Sequence, residues 1–502
     1  MDRRRFLREA VESAAAAALP NLAACADSSR KSASDRSAVA NGPLRPHPAN
    51  PRYFTDGSGR AIFLAGSHTW ANLQDAGIGR VKSFDWPAYL ELLRNHRHNF
   101  IRLWTWEQAA WAPWTPDKVV YFPPIYLRTG PGMAQDGEPK FDLRQFHPEY
   151  FRRMRSRIIE ARDRGIYVSV MLFQGFSSKK PYHCGDPWTG HPYNIRNNVN
   201  GVDGDKNKDS VLDLDQAQVR ELHTVYLRKV VDTVHDLDNV LYEVINEGGE
   251  QNWDRFVIET IRRYEAMRPK QHPVGLTGVG AERLPDMLSS SADWISPGSR
   301  DNRSYKTNPP VWDGSKVCVL DTDHLWGHGG AVPWVWKSFL RGYHTLLMDA
   351  WEPIPGKACP DMNWGPRPGY PNRNLNRSDD PTWEPIRRAM GNARSYALRM
   401  DLAHMTPSET VASSGYCLAN PGKEYLVYLP EGDAVTVDLP PAFGPLAVEW
   451  MDPSTGTTVS GGTVEAGVKR TFAVPFPGPA VLYICNQLPR WLWRFTGKHK
   501  AG

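Results

Sequence analysis

Eight short apolar runs, separated by stretches of helical period, constrain this chain more than any other feature. They lie at 61–66, 100–104, 167–173, 239–247, 274–277, 294–296, 317–323 and 345–351. Runs that are nearly continuous in apolar side chains are strands covered on both faces, which is the situation of a parallel sheet. Helix signals fall between them. Asp85 precedes Pro87, His147-Pro148-Glu149 opens a run that Gly165 stops, and 215–237, 253–267 and 383–400 keep helical period. Eight strands alternating with helices over about 350 residues predict the α/β class, as a (β/α)8 TIM barrel. A doubly wound open sheet would carry a Gly-rich phosphate loop after an early strand, and none occurs here.

At 502 residues the chain exceeds one ordinary core. After Asp401 the texture becomes short alternating β-rich runs broken by Gly, Pro and Asp. We therefore expect the barrel over 46–402, a small antiparallel β-sandwich over 403–486, and a tail over 487–502 that carries Trp491, Trp493 and Phe495 between basic residues. Charged residues make up 23% and the net charge is only +5, without the clustered basic footprint of a nucleic-acid binder.

The first 25 residues read as an address. Arg3-Arg4-Arg5-Phe6-Leu7 resembles a twin-arginine export signal, Ala14 to Ala18 supply an apolar stretch, and Leu22-Ala23-Ala24-Cys25 resembles a lipoprotein processing site. Lipidation of Cys25 would anchor the protein to a membrane in the periplasm or cell envelope, with 26–45 as a flexible tether. Cleavage by an ordinary peptidase is the alternative. No later segment has the 18 uninterrupted apolar residues of a span. Among the remaining cysteines, Cys417 and Cys485 are one possible pair, and none has metal-ligand spacing.

The fourth run ends abruptly on Asn246-Glu247-Gly248-Gly249. The carboxyl ends of barrel strands are where chemistry is done, so Glu247 is a candidate catalytic acid. Cleavage of a glycosidic bond needs a second carboxyl group on the other side of that bond. The seventh run offers Asp321 and Asp323, whose spacing of two puts them on one strand face. Asp323 lies nearer the loop end and is the preferred nucleophile, with Asp321 as its partner. Arg102 and Trp104 end the second run, His68 and Trp70 follow the first, and Trp351 ends the eighth. Nineteen Trp residues suit sugar stacking as well as core filling.

Asp321, Asp323, His324 and His328 could alternatively hold a metal, although H-x-H on the first strand and H-E-x-x-H are both lacking. The expectation is therefore no metal and no cofactor. A calcium loop at 203–209 is disfavoured by Lys208 where Gly belongs and Leu214 where Glu belongs.

Together these residues resemble the clan A glycoside hydrolases. Residues 63–70, 242–247 and 319–323 look most like bacterial proteins carrying the domain of unknown function 4038, which include the apiosidases of glycoside hydrolase family 140. Those proteins often end in a small collagen-binding β-domain, which 405–486 resembles. The resemblance implies a retaining O-glycosidase acting on an oligo- or polysaccharide, with Glu247 as acid/base. It further implies Asn246 at the sugar 2-hydroxyl, Trp351 under the sugar, Arg102 orienting the nucleophile, and His68, Trp70, Trp104 and His324 around the substrate. Relatives usually carry Glu where this chain has Asp323. A surface lipoprotein that binds carbohydrate or matrix on a disabled barrel is the alternative.

Overall fold

The computed structural model describes residues 40–486, apart from 178–182, 207–210, 279, 281, 299–302, 352–354, 358, 361–382 and 443. The export and lipidation motifs, Cys25 and the tail over 487–502 lie outside the described residues, as does most of the expected tether.

The eight apolar runs form a closed parallel barrel. Its strands are β1 (Ala65–His68), β2 (Phe100–Leu103), β3 (Tyr167–Gln174), β4 (Val240–Asn246), β5 (Val274–Gly278), β6 (Trp294–Pro297), β7 (Val317–Asp321) and β8 (His344–Met348). One α-helix of the outer ring follows each strand: α1 (Trp86–Asn95), α2 (Pro148–Arg162), α3 (Ala217–Val234), α4 (Gln251–Glu265), α5 (Arg283–Ser289), α6 (Arg303–Thr307), α7 (Val332–Leu340) and α8 (Glu384–Arg399). The closure bonds are those of β8 to β1, with Leu346 opposite Gly66, and of β1 to β2, with Gly66 opposite Phe100. Gly66 is required there, because a Cβ would lie 1.8 Å from the Phe100 carbonyl oxygen. Asp85 caps α1 by accepting from Ala88 N, as its position before Pro87 suggested.

Residues expected to tether the barrel begin folding earlier than 46. Ala40 and Leu44 are buried with Phe54, Leu64, Phe100, Leu241, Trp294 and Val317, and Arg45–Pro46 pairs with Phe54–Thr55. This small apolar cluster gathers the amino-terminal ends of the strands, opposite the end that carries Glu247. Residues 40–45 of the expected tether are thus packed on the barrel, because Leu44 and its neighbours have apolar surface to bury.

Insertions after β2, β3 and β8 follow the carboxyl ends of their strands. Asp75–Ile78, which follows β1, joins Ala110–Ala112 and Thr115–Phe122, which follow β2, in a three-stranded sheet, and the hairpin Tyr126–Met133 with Pro139–Phe146 comes next. The insertion after β3 is joined to the one after β8 by a Cys184–Cys359 disulfide. Cys417 and Cys485 are free and buried. They cannot pair, because the strand Glu424–Leu429 lies between theirs, so about two strand spacings, roughly 10 Å, separate the backbones.

Beyond residue 402 the chain forms antiparallel sheets. The strands are β9 (Thr406–Ser408), β10 (Cys417–Asn420), β11 (Glu424–Leu429), β12 (Ala434–Leu439), β13 (Leu446–Met451), β14 (Thr458–Val464), β15 (Val468–Ala473) and β16 (Ala480–Asn486). Six of them order as β9-β10-β11-β16-β13-β14, and β12 pairs with β15. Both sheets contribute to one core, in which Val435 and Val437 of β12 join Tyr425, Val427, Leu482 and Ile484. Arg399 of α8 and Glu449 of β13 form an ion pair at 2.8 Å that ties this unit to the barrel.

Candidate active site

The carboxyl ends of β2, β4 and β7 meet on one guanidinium. Arg102, 1% exposed, donates from Nε to Glu243 Oε2 at 2.8 Å, and from Nη1 to Asp323 Oδ2 at 3.1 Å and Asn246 Oδ1 at 3.3 Å. Its Nη2 lies 3.0 Å from Asp321 Oδ2, in ion-pair contact but off line for a hydrogen bond. The Trp104 ring lies beneath the guanidinium, 5.4 Å from its carbon. Burying a guanidinium is costly unless carboxylates compensate it, and here three do.

β7 stops at Asp321, and Thr322–Leu325 turns into a single helical turn capped by the Asp321 side chain, which accepts from Asp323 N at 2.9 Å. The expected sharing of one strand face by Asp321 and Asp323 is thus incorrect, because Asp323 belongs to the helical turn. Both carboxylates still reach Arg102, by different routes. Asp321, 0% exposed, also accepts from His68 Nε2 at 3.2 Å. Burial alone would raise its pKa, but Arg102 and then His68 outweigh that and hold the carboxyl well below its usual range. Asp323 is 5% exposed and lies 3.6 Å from His324 Nε2.

Glu243, a residue that the sequence reading passed over, is the third carboxylate. Burial pushes its pKa up to about 7 against the pull of Arg102, with Asp321 and Asp323 adding to the rise. The Thr277 hydroxyl on β5, which donates to the Ile245 carbonyl, lies 3.3 Å from its Oε1. The signal was present, since a lone acid within Val-Leu-Tyr-Glu-Val-Ile is a charge in a buried strand and implies a partner.

Asn246 is oriented from both sides. Its Oδ1 accepts from Arg102, an obligate donor, so His324 Nε2, 3.1 Å from the same oxygen, carries the hydrogen. Burial, then Arg102, pushes the His324 pKa down to about 4, which leaves a neutral imidazole. Asn246 Nδ2 donates to Gln174 Oε1 on β3 at 2.9 Å. The chain turns directly after Asn246. Glu247 is partly exposed and has φ 48°, a left-handed conformation that costs a bulky residue about 1–3 kcal/mol. Gly175 makes room for the turn, since a Cβ there would lie 2.7 Å from both the Asn246 carbonyl oxygen and Gly248 Cα.

Of the remaining expected residues, His68 and Trp104 are buried and stack on each other at 5.4 Å and 9°. They act on the site through Asp321 and Arg102. Trp70 and Trp351 are partly exposed beyond β1 and β8. Asp321, Asp323 and His324 offer ligand atoms within 4.8 Å of one another. His328 stands apart, against the Trp70 ring at 5.0 Å. Arg102 already supplies the positive charge between the two aspartates, and a divalent ion would have to share that space with it.

A second buried cluster lies behind β3. Glu107, Tyr126, His191, Tyr193, His223 and Tyr226 surround a cavity of about one water molecule, and Glu107 Oε2 accepts from Gln174 N at 2.7 Å. Burial pushes the pKa of Glu107 up to about 8, that of His191 down to about 3 and that of His223 down to about 4.

The fold has known counterparts. A solved glycoside hydrolase superposes with TM-score 0.55 at 13% identity, covering 89% of this chain and 97% of its own. A family 5 glycoside hydrolase from Bacteroides vulgatus superposes with TM-score 0.57 at 12% identity, covering 91% and 98%. At these identities the likeness is one of fold, and it places the chain among the TIM-barrel architectures that glycoside hydrolases use. Residues 91–281, from within α1 to just past β5, match the model of the domain of unknown function 6298, a different family from the one the motifs resemble. No curated protein matches the chain.

Proposed function

We propose that the protein is an O-glycosidase that cleaves a bond within an oligo- or polysaccharide with retention of configuration. The observation that carries this reading is the Arg102 guanidinium, which joins the strand-end residues of β4 and β7 at the carboxyl end of a closed barrel. In this mechanism Glu247, the accessible carboxyl beside the cluster, protonates the leaving oxygen. Asp323 attacks the anomeric carbon to form a glycosyl ester, and Glu247 then takes a proton from the water that cleaves the ester. Asp321 has both oxygens engaged, by His68, Asp323 N and Arg102, so it positions the turn while Asp323 acts. Asn246 meets the 2-hydroxyl, and Trp351 and Trp70 flank the sugar.

The test is turnover across a panel of aryl glycosides and polysaccharides, apiosides included, with the product anomer read by NMR. Glu247→Gln and Asp323→Asn are each expected to lower turnover at least about a hundredfold. Turnover that survives both changes sinks the assignment, and an inverted product removes Asp323 as nucleophile. Tight glycan binding without turnover, unaffected by Glu247→Gln, is the outcome that favours the disabled-barrel lipoprotein.

The same reading places the protein outside the cytoplasm, anchored through Cys25. The Cys184–Cys359 disulfide supports it, since such bonds persist in oxidising compartments. Labelling with palmitate should be lost on Cys25→Ala.

A further inference from the structure

Sixteen of the nineteen tryptophans are described, and of these only Trp70, Trp111, Trp326 and Trp351 are partly exposed. All four follow the carboxyl ends of strands: β1, β2, β7 and β8. Trp111 is the unusual member. Trp106 and Trp114 on the same insertion are each 1% exposed, whereas Trp111 is not buried.

Its backbone is held in a conformation that tryptophan avoids. The pairing of Ala110–Ala112 with Thr115–Phe122 shifts register between Ala110 and Ala112, and Trp111 occupies that irregularity with φ 62°. A left-handed bulky residue is an outlier that persists only where its surroundings enforce it. Here they do. A Cβ on Gly185 would lie 1.8 Å from the Ala112 carbonyl oxygen, and one on Gly190 would lie 2.2 Å from that of Ala110, so the insertion after β3 presses on this strand at both flanks of Trp111. The disulfide from Cys184 reaches Cys359, whose backbone N–H donates to the Trp114 carbonyl at 2.8 Å. Gln108 Nε2 donates to the Trp111 carbonyl at 3.4 Å. The indole is thus displayed on a clamped backbone, at the cost of strain that packing of its own ring does not explain.

Beside the ring stands a cation. Lys118 Nζ lies 5.4 Å from the indole centre and donates to the Asp136 carbonyl at 2.5 Å, and it forms no ion pair among the described residues. An indole face accepts the apolar face of a sugar, and an ammonium with N–H bonds to spare accepts a carboxylate.

We propose that Trp111 and Lys118 form a distal subsite for an acidic sugar unit, a uronate, of the glycan whose bond is cleaved at Glu247 and Asp323. The proposal rests on the glycosidase reading only in requiring that a glycan lie across this face. Binding is measured by calorimetry on the Glu247→Gln protein, so it does not depend on turnover. The probes are oligogalacturonate, oligomannuronate and hyaluronan fragments, with galacto- and manno-oligosaccharides as neutral counterparts.

At least one uronate probe should bind more tightly than its neutral counterpart. Adding Trp111→Ala should weaken that uronate about tenfold or more. Adding Lys118→Met should remove the preference for acid over neutral sugar and flatten the salt dependence of binding. Failure of every uronate probe to bind, or binding that Trp111→Ala leaves within about twofold, overturns the subsite. The hydrolase reading would then still stand or fall on the aryl glycoside panel with the unmodified protein. Trp111→Gly separates loss of the platform from loss of the fold. Glycine relieves the left-handed strain that alanine retains, so its unfolding midpoint should exceed that of Trp111→Ala while uronate binding is equally weak. A glycine variant that binds as tightly as the parent also overturns the proposal.

Discussion

Two buried clusters of titratable side chains lie on either side of Gln174, and they deal with burial in opposite ways. Around Arg102 a guanidinium sits among three carboxyl groups. It holds Asp321 ionised, and Glu243, in excess over the single cation, rises to a pKa of about 7. Around Glu107 no Lys or Arg among the described residues lines the cavity, and desolvation neutralises its members: the acid keeps its proton to about pH 8, and His191 and His223 stay neutral down to about 3 and 4. Burial by itself removes charge. A buried charge needs a partner delivered by another element, and β2 delivers it only on one side.

The charged cluster is undone most readily at Arg102. Arg102→Met leaves three carboxyl groups buried without their cation, so we expect a loss of about 3–5 kcal/mol of stability and of all turnover, read by denaturant unfolding and by the glycoside panel. An Arg102→Met protein of unchanged stability would mean that the cluster is not held by charge.

Loss of the strap between the β3 and β8 insertions comes next. Cys184→Ser with Cys359→Ser should cost about 2–5 kcal/mol, and reduction of the unmodified protein should lower its unfolding midpoint to match.

Smaller effects come from the neutral cluster and have a defined sign. The folded pKa of Glu107, about 8, exceeds the ordinary value of 4.5, so between these limits the folded protein binds more protons than the unfolded chain. Stability then falls as pH rises through that window, by up to about 1.4 kcal/mol per pH unit for one group. Glu107→Gln should match the parent near pH 4.5 and exceed it increasingly towards pH 8. Glu243 contributes the same sign between 4.5 and about 7. The histidines act oppositely. His191, at about 3 when folded against 6.5, favours the folded state above pH 6.5, and that contribution is lost as pH falls below 6.5. Unfolding followed from pH 4 to 9 in Glu107→Gln and His191→Asn would show whether the two slopes separate.

Much of the architecture was legible because it is written in local periodicity. The runs at 100–104, 239–247 and 274–277 became β2, β4 and β5 nearly as read, since apolar continuity and flanking turn residues are short-range signals. β14 (Thr458–Val464) escaped because its side chains are almost all exposed and small, so it has no apolar alternation to detect. β7 stops at Asp321, two residues short of the expected Asp323, so the two acids do not share a strand face, because a capped helical turn competes with the strand for those residues.

The sequence by itself determined the barrel, the β-rich unit after it and the placing of Asn246 and Glu247 at a strand end, all consequences of which residues neighbour each other along the chain. Only the tertiary structure decided that Arg102 meets Glu243 141 residues away and Asp323 221 residues away, that Cys184 rather than Cys417 is bridged, and which buried acids keep their protons. Barrel closure sets those distances, and burial together with the nearest cation sets the charges, so neither can be read from any single stretch of the chain.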